Sequence, residues 1–239
     1  MRSYVAECGF EDTLLHEYGI WDRAEDIDFD VLPENFVLKC THDSGSTKII
    51  IDKSKHLDKD NLTKFYRWHL KFPFGYKTVE PHYTKISPRV ISEEILPHLK
   101  TNQAVNPEAS IVDYKFLCFD GEVQFVLLTY NRNISNHSVM LEVYEIDSWT
   151  PRREYLAEKY KHQEFRAIPK PENIHLMVKM AKRLSKGFPQ VRVDLYSIDG
   201  SIFFTELTFT SAEGRVDYYS DEFQLILGSK IRLPEKKCR

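Results

Sequence analysis

The alternation of apolar and polar residues predicts a β-hairpin in the middle of the chain. Residues 113–119 and 122–130 are rich in β-branched and aromatic residues, and they flank Asp120-Gly121. Asp-Gly between two such runs is a strong signal for a two-residue hairpin turn. A second pair of runs, within residues 190–210, flanks Asp199-Gly200 in the same way and predicts a second hairpin.

The second hairpin carries charges that a purely structural hairpin does not need. Arg192 and Asp194 alternate with apolar residues, so they share the polar face of its first strand. Glu206 lies in a second strand that is otherwise aromatic, aliphatic and hydroxylated. Two carboxylates beside an arginine and hydroxyl groups can hold a hard cation and the phosphates it carries. The alternative is an edge hairpin whose acidic residues are solvated.

The length of the turn distinguishes these alternatives. A two-residue turn at Asp199-Gly200 places Asp194 opposite Thr205, and Glu206 then falls on the other side of the sheet. A three-residue turn over residues 199–201, with a glycine bulge, sets Asp194 directly opposite Glu206. Metal binding therefore predicts the longer turn.

Helical periodicity is clearest over residues 171–186. Apolar residues recur there at helical spacing, Pro171 suits the first turn, and Gly187 suits the C-terminal cap. The first helix of the chain begins without a capping signal, which indicates a missing upstream segment. The pattern predicts further helices over 1–18 and 58–72, strands over 36–40, 49–51 and 88–97, and acidic, polar or irregular connections over 19–35, 98–110 and 133–168.

A turn of small polar residues follows the strand 36–40. Such a turn between two strands can fold its backbone N–H groups over phosphates, and Lys39 adds positive charge at the same place. Glycine and serine are also ordinary turn residues, and a lysine at a strand end is commonly solvated. His42 is either a phosphate donor or a neighbour of the turn.

Two further pairs of charged residues have open interpretations. Glu93 and Glu94 lie at the end of the strand predicted within residues 88–97. An acidic residue there either binds an adenine amino group or a ribose hydroxyl, or begins a surface loop. Lys115 and Arg132 lie near the open end of the first hairpin. They form either a basic clamp for an anion or two solvated cations on a sheet.

Composition narrows the class of protein. The 239 residues are 42% hydrophobic and 13% aromatic, which is typical of a globular chain of one large domain or two lobes. The net charge of −3 gives no long-range attraction for nucleic acid or an anionic membrane. Four scattered cysteines argue against zinc and disulfides and fit a reducing cytoplasm. No apolar run reaches transmembrane length, so we expect a cytoplasmic protein.

In this order the motifs resemble those of the ATP-grasp superfamily. The similarity is specifically to the teichuronopeptide-biosynthesis type found in bacterial capsule and cell-surface polysaccharide clusters, and it runs from Arg2 to Leu233. The motifs that carry it are Leu32-Pro-Glu-Asn-Phe-Val-Leu-Lys39, His42-x-x-Gly45, Pro88-Arg-x-Ile-x-Glu-Glu-x-Leu96, Asp113-Tyr-Lys-Phe116, Phe119-Asp-Gly121, Lys170-Pro171, Val191-Arg-Val-Asp-Leu-Tyr196 and Phe204-Thr-Glu-Leu-Thr-Phe209.

The resemblance implies an α+β fold in which two α/β lobes with antiparallel sheets clamp ATP, while Mg²⁺ bridges the phosphates. The expected domains are an N-terminal helix and linker (1–30), a small lobe (31–97) and a large lobe (98–239). The implied nucleotide contacts are Lys39, His42, Gly45, Ser46, Glu93, Glu94, Ile95 and Leu96. The implied metal ligands are Asp194, Glu206 and Thr208, and the implied catalytic residues are Arg192, Lys115 and Arg132.

The implied activity is an ATP-dependent carboxylate–amine ligase that acts through an acyl phosphate in surface-polysaccharide biosynthesis, beside membrane-bound assembly machinery. Its substrates would be ATP and small-molecule or polysaccharide carboxylates and amines. The resemblance leaves open whether the protein forms a homo-oligomer. Two alternatives are a glycosyltransferase-like or sugar-modifying enzyme and a truncated, non-catalytic ATP-binding protein. Thr208 departs from many related ligases, which carry asparagine there, although the resembled subfamily itself has threonine.

Overall fold

Two antiparallel β-sheets, each in its own compact unit, form the framework of the protein. The computed structural model describes residues 1–78, 80–97, 111–131, 139–161 and 165–233. One unit comprises Leu15–Val105, and the other comprises Met1–Leu14 with Asn106–Arg239. The expectation of an α+β fold with antiparallel sheets is therefore confirmed.

The smaller unit contains a four-stranded sheet of β1 Glu17–Trp21, β2 Phe36–Cys40, β3 Lys48–Ile50 and β4 Val90–Glu93, with helices α2 Lys53–His56, α3 Lys59–Lys71 and α4 Phe74–Lys77. Burial alternates along β2, where Phe36, Leu38 and Cys40 point into the core. Helix α3 covers that face with Leu62 and Tyr66, as the helical periodicity predicts. The four strands are ordered β1-β4-β2-β3 in the sheet, so β2 and β4 are the central strands.

The start of the chain differs from the sequence-based expectation. Helix α1 covers only Arg2–Glu7, because the backbone turns at Gly9, where φ is +87°. The helix predicted over residues 1–18 is therefore wrong beyond Glu7, and its end lies in strand β1. The segment predicted as a surface connection over 19–35 is also partly internal, since Ala24, Ile27, Phe29 and Leu32 are buried in the core of the smaller unit.

The larger unit contains a six-stranded sheet in the order β10-β9-β5-β6-β7-β8. Both predicted hairpins are present, and each turns at an Asp-Gly pair with positive φ at both residues. The strands are β5 Asp113–Phe119, β6 Glu122–Tyr130, β7 Met140–Glu145, β8 Thr150–Pro151, β9 Val191–Ile198 and β10 Ser201–Thr208, and the helices are α5 Glu158–Lys161, α6 Ile174–Ser185 and α7 Asp221–Ser229.

The two faces of the larger sheet have different partners. Helix α6 packs Met177, Ala181 and Leu184 against one face, as the apolar stripe over residues 171–186 predicts. Helix α7 packs Phe223 and Leu227 against part of the opposite face. The remainder of that opposite face carries a cluster of charged residues. No helix in the described parts of the chain is long and apolar enough to cross a membrane.

Candidate functional site

The register of the second hairpin brings the two predicted metal-binding carboxylates together. Asp194 lies directly opposite Glu206, as the metal hypothesis requires. The predicted three-residue turn is nevertheless wrong, because Ser201 pairs with Ile198 across a two-residue turn. A β-bulge at Thr205, inside the strand, supplies the extra residue and returns Glu206 to the face of Asp194.

Arg192 lies at the centre of the charged cluster. Its Nε and Nη2 each donate to one oxygen of Asp194 at 2.7 Å, which is a bidentate ion pair. Nη2 also donates to Glu206 Oε1 and to Thr208 Oγ1, both at 3.0 Å. Nη1 donates to Ser211 Oγ at 3.0 Å. One guanidinium group therefore contacts all three predicted metal ligands.

Lys115 joins the same cluster from the neighbouring strand β5, where it pairs in register with Asp194. Its Nζ lies 2.6 Å from Asp194 Oδ2 and 2.6 Å from Asp113 Oδ2. Asp113 did not figure among the predicted site residues. It is 7% exposed, and its Oδ1 is buried without a hydrogen-bond partner among the described residues. Its position two residues before Lys115 in a strand was a usable signal that both side chains share a face.

Burial and charge act in opposite directions on the acids of the cluster. Burial disfavours ionisation of Asp194, but Lys115 and Arg192 outweigh it and hold the pKa of that carboxyl below its usual value. Burial raises the pKa of Asp113, Lys115 offsets only part of the rise, and the charge of Asp194 adds to it. Desolvation and the charge of Asp194 also raise the pKa of Glu206, although its side chain is 57% exposed.

The oxygen atoms of the cluster suit a hard cation. No group of three or more His, Cys, Asp or Glu residues arranged for a metal occurs in the described ranges. However, oxygens of Asp194, Glu206 and Thr208 all lie within 3.0 Å of one cationic nitrogen, Arg192 Nη2. Carboxylate and hydroxyl oxygens are ligands that Mg²⁺ accepts, and phosphates and water usually complete its coordination. The oxygen ligands of the cluster therefore fit a magnesium ion. In this structure the positive charge at the point where they converge is the guanidinium nitrogen of Arg192.

In the smaller unit the structure brings Lys39 and Glu93 into contact. Their side chains form an ion pair across neighbouring strands β2 and β4, and Glu93 is 8% exposed. The backbone N–H of Glu94 donates to His16 O at 2.8 Å, which ties the end of β4 to the residue before β1. Ile95 is fully buried and Leu96 is half-buried. The predicted phosphate lysine and the first predicted hinge residue thus meet on the two central strands of the sheet, and the other hinge residues follow directly after β4.

The turn after β2 is held by side chains that the sequence-based hypothesis assigned to phosphate. Ser46 Oγ accepts from Cys40 N at 2.8 Å and donates to Asp43 Oδ1 at 2.5 Å. Asp43 Oδ2 lies 2.6 Å from His69 Nδ1, and His42 Nε2 lies 3.2 Å from His69 O.

These contacts fix the shape of the turn. His42 and Ser46 are buried, while Gly45, with φ of +95°, is exposed at the tip. The structural partners Asp43 and His69 were not predicted. Predicted catalytic residue Arg132 lies outside the described residues.

Comparison with solved structures finds distant similarity to ligases. A D-alanine–D-alanine ligase from Bacillus anthracis complexed with ATP is 16% identical, with 87% of this chain and 51% of that chain covered and a TM-score of 0.41. The ATP-grasp ligase PsnB complexed with a minimal precursor is 13% identical, with coverages of 96% and 58% and a TM-score of 0.46. D-cycloserine synthetase DcsG is 12% identical, with coverages of 95% and 68% and a TM-score of 0.47.

The chain thus spans 51% and 58% of the first two structures, and a search of curated proteins finds no match. The assignment rests instead on a family model, described as TupA-like ATPgrasp, that matches residues 1–232. This range includes both sheets, the turn after β2 and the charged cluster. The chain therefore belongs to the TupA-like ATP-grasp family.

Proposed function

We propose that this protein is an ATP-dependent ligase that joins a carboxylate to an amine. The observation that carries the proposal is the convergence of Asp194, Glu206 and Thr208 on one cationic nitrogen of Arg192, in a member of the ATP-grasp family. Phosphoryl transfer requires a metal ion and cationic side chains that neutralise the charge on the phosphate oxygens. The oxygen ligands would hold the metal ion, and the guanidinium group is such a cation.

Asp194, Glu206 and Thr208 are the residues that would hold Mg²⁺. When bound, Mg²⁺ neutralises the charge that develops on phosphate oxygens. Arg192, which contacts the same oxygens, would supply positive charge to the transferred phosphoryl group. Lys115 keeps Asp194 ionised, because it stays 2.6 Å from Asp194 Oδ2 on the neighbouring strand. Lys39 would bind phosphate from its position on β2, and the turn containing Gly45 would offer backbone N–H groups.

The proposed reaction has two balanced steps. A substrate carboxylate oxygen attacks the γ-phosphorus of ATP, the bond to the bridging oxygen breaks, and ADP leaves. The nitrogen of an amine then attacks the acyl phosphate, loses a proton and displaces inorganic phosphate to form an amide. Neither step needs a protein nucleophile, since alignment and charge neutralisation supply the rate enhancement.

The proposed setting is bacterial surface-polysaccharide biosynthesis in the cytoplasm. There the carboxylate would be a uronic acid or a related group, and the amine an amino acid or amino sugar. Support comes from the order of the sequence motifs, which resembles teichuronopeptide-type proteins of capsule clusters. Arg132, which lies outside the described ranges, is proposed as a further catalytic cation because of its place in the sequence motifs.

A coupled assay of ADP release tests the proposed activity. We expect ADP release to require Mg²⁺, a uronic acid carboxylate and an amine together, and to fall at least about 100-fold in Asp194→Asn. The control is Asp217→Asn, which removes an exposed carboxylate 2.8 Å from Lys159 and should keep full activity. Release of a nucleoside diphosphate from a sugar nucleotide, without ATP consumption, would instead establish a glycosyltransferase.

A further inference from the structure

The outer face of helix α3 carries a tryptophan where an amphipathic helix normally carries polar residues. Leu62 and Tyr66 mark the buried face of this helix. Trp68 projects on the opposite side and is 57% exposed. Lys64 and Lys71, four residues before it and three after it, share its face at helical spacing.

Exposed aromatic side chains continue into the segment after the helix. Trp68 stacks on Phe72, with ring centroids 4.7 Å apart and planes at 25°. Tyr76 in α4 is 77% exposed, and Ile86 is 38% exposed. Exposed apolar groups that cluster, rather than occurring singly, mark interaction surfaces. We call the outward-facing residues Lys64, Trp68, Lys71, Phe72, Tyr76, Lys77 and Lys85 of α3 and the segment after it the aromatic–basic ridge.

The lysines of the ridge are available to a partner. In the described structure Lys64, Lys71, Lys77 and Lys85 have no ion pair, while Arg67 pairs with Glu25 at 2.5 Å. Residues 64–89 contain Lys or Arg at 64, 67, 71, 77, 85 and 89 but a single acid, Glu80, which is buried. This segment therefore carries an excess of positive charge in a chain whose net charge is −3.

We propose that the aromatic–basic ridge binds the surface of a bilayer rich in anionic phospholipid, with Trp68, Phe72 and Tyr76 at the headgroup level. Indole and phenol rings favour that interface, and lysines beside them attract anionic headgroups. The outer face of a helix is convex, which suits a planar surface, whereas a sugar chain or nucleotide needs a concave site. Because the net charge of the chain is −3, attraction to the bilayer has to come from a local basic surface such as this one.

Co-sedimentation of the full chain with vesicles, in the absence of nucleotide, tests the proposal. We expect binding to vesicles of equimolar phosphatidylglycerol and phosphatidylcholine, and at least about ten-fold weaker binding to phosphatidylcholine alone. The double variant Lys64→Glu/Lys71→Glu should lose affinity by at least about 25-fold, because each lysine contributes about five-fold. Equal binding to both kinds of vesicle would overturn the proposal.

Helix α6 offers a matched control. Lys179→Glu/Lys186→Glu makes the same charge change at the same seven-residue spacing, on one exposed lysine of α6 and one at its C-cap, and the helix contains no Phe, Tyr or Trp. This variant should bind the anionic vesicles within about two-fold of the wild-type protein, because the lysines of α6 have no exposed aromatic rings beside them to enter the headgroup region. An equal loss in both double variants would show that charge alone, without the ridge, determines binding.

A second variant removes the aromatic groups and keeps the charges. Trp68→Ser/Tyr76→Ser should weaken binding to the anionic vesicles and abolish the blue shift of tryptophan emission on their addition, while Leu225→Ser, at a site 76% exposed, should change neither. Circular dichroism establishes that each variant is folded. Unchanged vesicle binding in the aromatic variant, or displacement of vesicles by soluble polygalacturonate, would contradict a lipid partner and indicate an acidic polysaccharide.

Discussion

At the residue scale, Arg192 acts as the internal counter-charge of the site. It satisfies both oxygens of Asp194, a residue that is 1% exposed, and it also contacts Glu206. Removing one partner of a buried ion pair leaves an uncompensated charge, which is far more costly than losing a surface pair. The same residue therefore supports both stability and the proposed chemistry.

Replacing Arg192 tests this dual role. We expect Arg192→Met to lower the free energy of unfolding by at least about 3 kcal/mol, measured by urea denaturation. The control is Arg215→Met, whose guanidinium is exposed and lies 2.6 Å from Glu213, and it should cost less than about 1 kcal/mol. Similar losses in the two variants would mean that the Arg192–Asp194 pair behaves like a surface contact.

Asp113 predicts a specific dependence of stability on pH. Its pKa is raised in the folded protein, first by burial, so the folded state holds its proton more tightly than the unfolded state does. The stabilisation is fully present below the unfolded pKa of about 3.9 and is lost as pH rises through the folded pKa.

The variant Asp113→Asn keeps the shape of the protonated acid without its titration. Compared with this variant, the wild-type protein should lose stability as pH rises through that window, as measured by urea denaturation at a series of pH values. Parallel curves for the two proteins across the whole window would be inconsistent with a raised pKa of Asp113.

At the scale of the element, the turn after β2 depends on one tyrosine of α3. Tyr66 is fully buried, and its hydroxyl oxygen lies 2.8 Å from Leu38 O and 3.0 Å from Ser46 O, so its single proton is shared between the two carbonyl groups. A single side chain thus joins the strand that carries Lys39, the end of the turn and the helix. Loss of this hydroxyl removes the one donor that these two carbonyl groups share.

Tyr66→Phe should therefore lower stability by about 1–2 kcal/mol and weaken ATP binding, since the turn would hold its N–H groups less firmly. Stability is measured by denaturation and ATP affinity by calorimetry. Tyr4→Phe is a suitable comparison, because the Tyr4 hydroxyl donates to Leu184 O at 2.8 Å within the other unit. If Tyr4→Phe weakens ATP binding as much as Tyr66→Phe does, the turn has no special dependence on Tyr66.

Local signals predicted most of these elements, and non-local pairing explains the errors. Asp120-Gly121 and Asp199-Gly200 specify their turns within a few residues, so both hairpins could be predicted. The bulge at Thr205 depends on which residues of β9 face β10, and the sequence of β10 alone does not encode it. Strand β1 could not be predicted, because it exists only by pairing with β4, about seventy residues later.

The candidate site was predictable in part for the same reason. Asp194 and Lys115 occupy polar positions in apolar strands, which a single sequence shows directly. The bracing of the turn by Asp43 and His69 joins residues 26 positions apart and required the structure. Their acidic and basic side chains look like ordinary surface residues in the sequence.

At the scale of the whole molecule, the net charge does not describe how the charged residues are distributed. The value of −3 argues against attraction to an anionic surface, yet the aromatic–basic ridge in one unit and the charged cluster in the other are both local concentrations of cationic groups. The cations of the cluster are neutralised by Asp113, Asp194 and Glu206, whereas four lysines of the ridge have no ion pair in the described ranges.

The central claim is that Asp194 and Glu206 bind Mg²⁺ together with ATP, and isothermal titration calorimetry tests it most directly. The account predicts that ATP binds in the presence of Mg²⁺, that a chelator abolishes most of the affinity, and that Asp194→Asn and Glu206→Gln each weaken binding by at least about ten-fold, whereas Asp217→Asn does not. Failure of the wild-type protein to bind ATP with Mg²⁺, or wild-type affinity in both carboxylate variants, would contradict it.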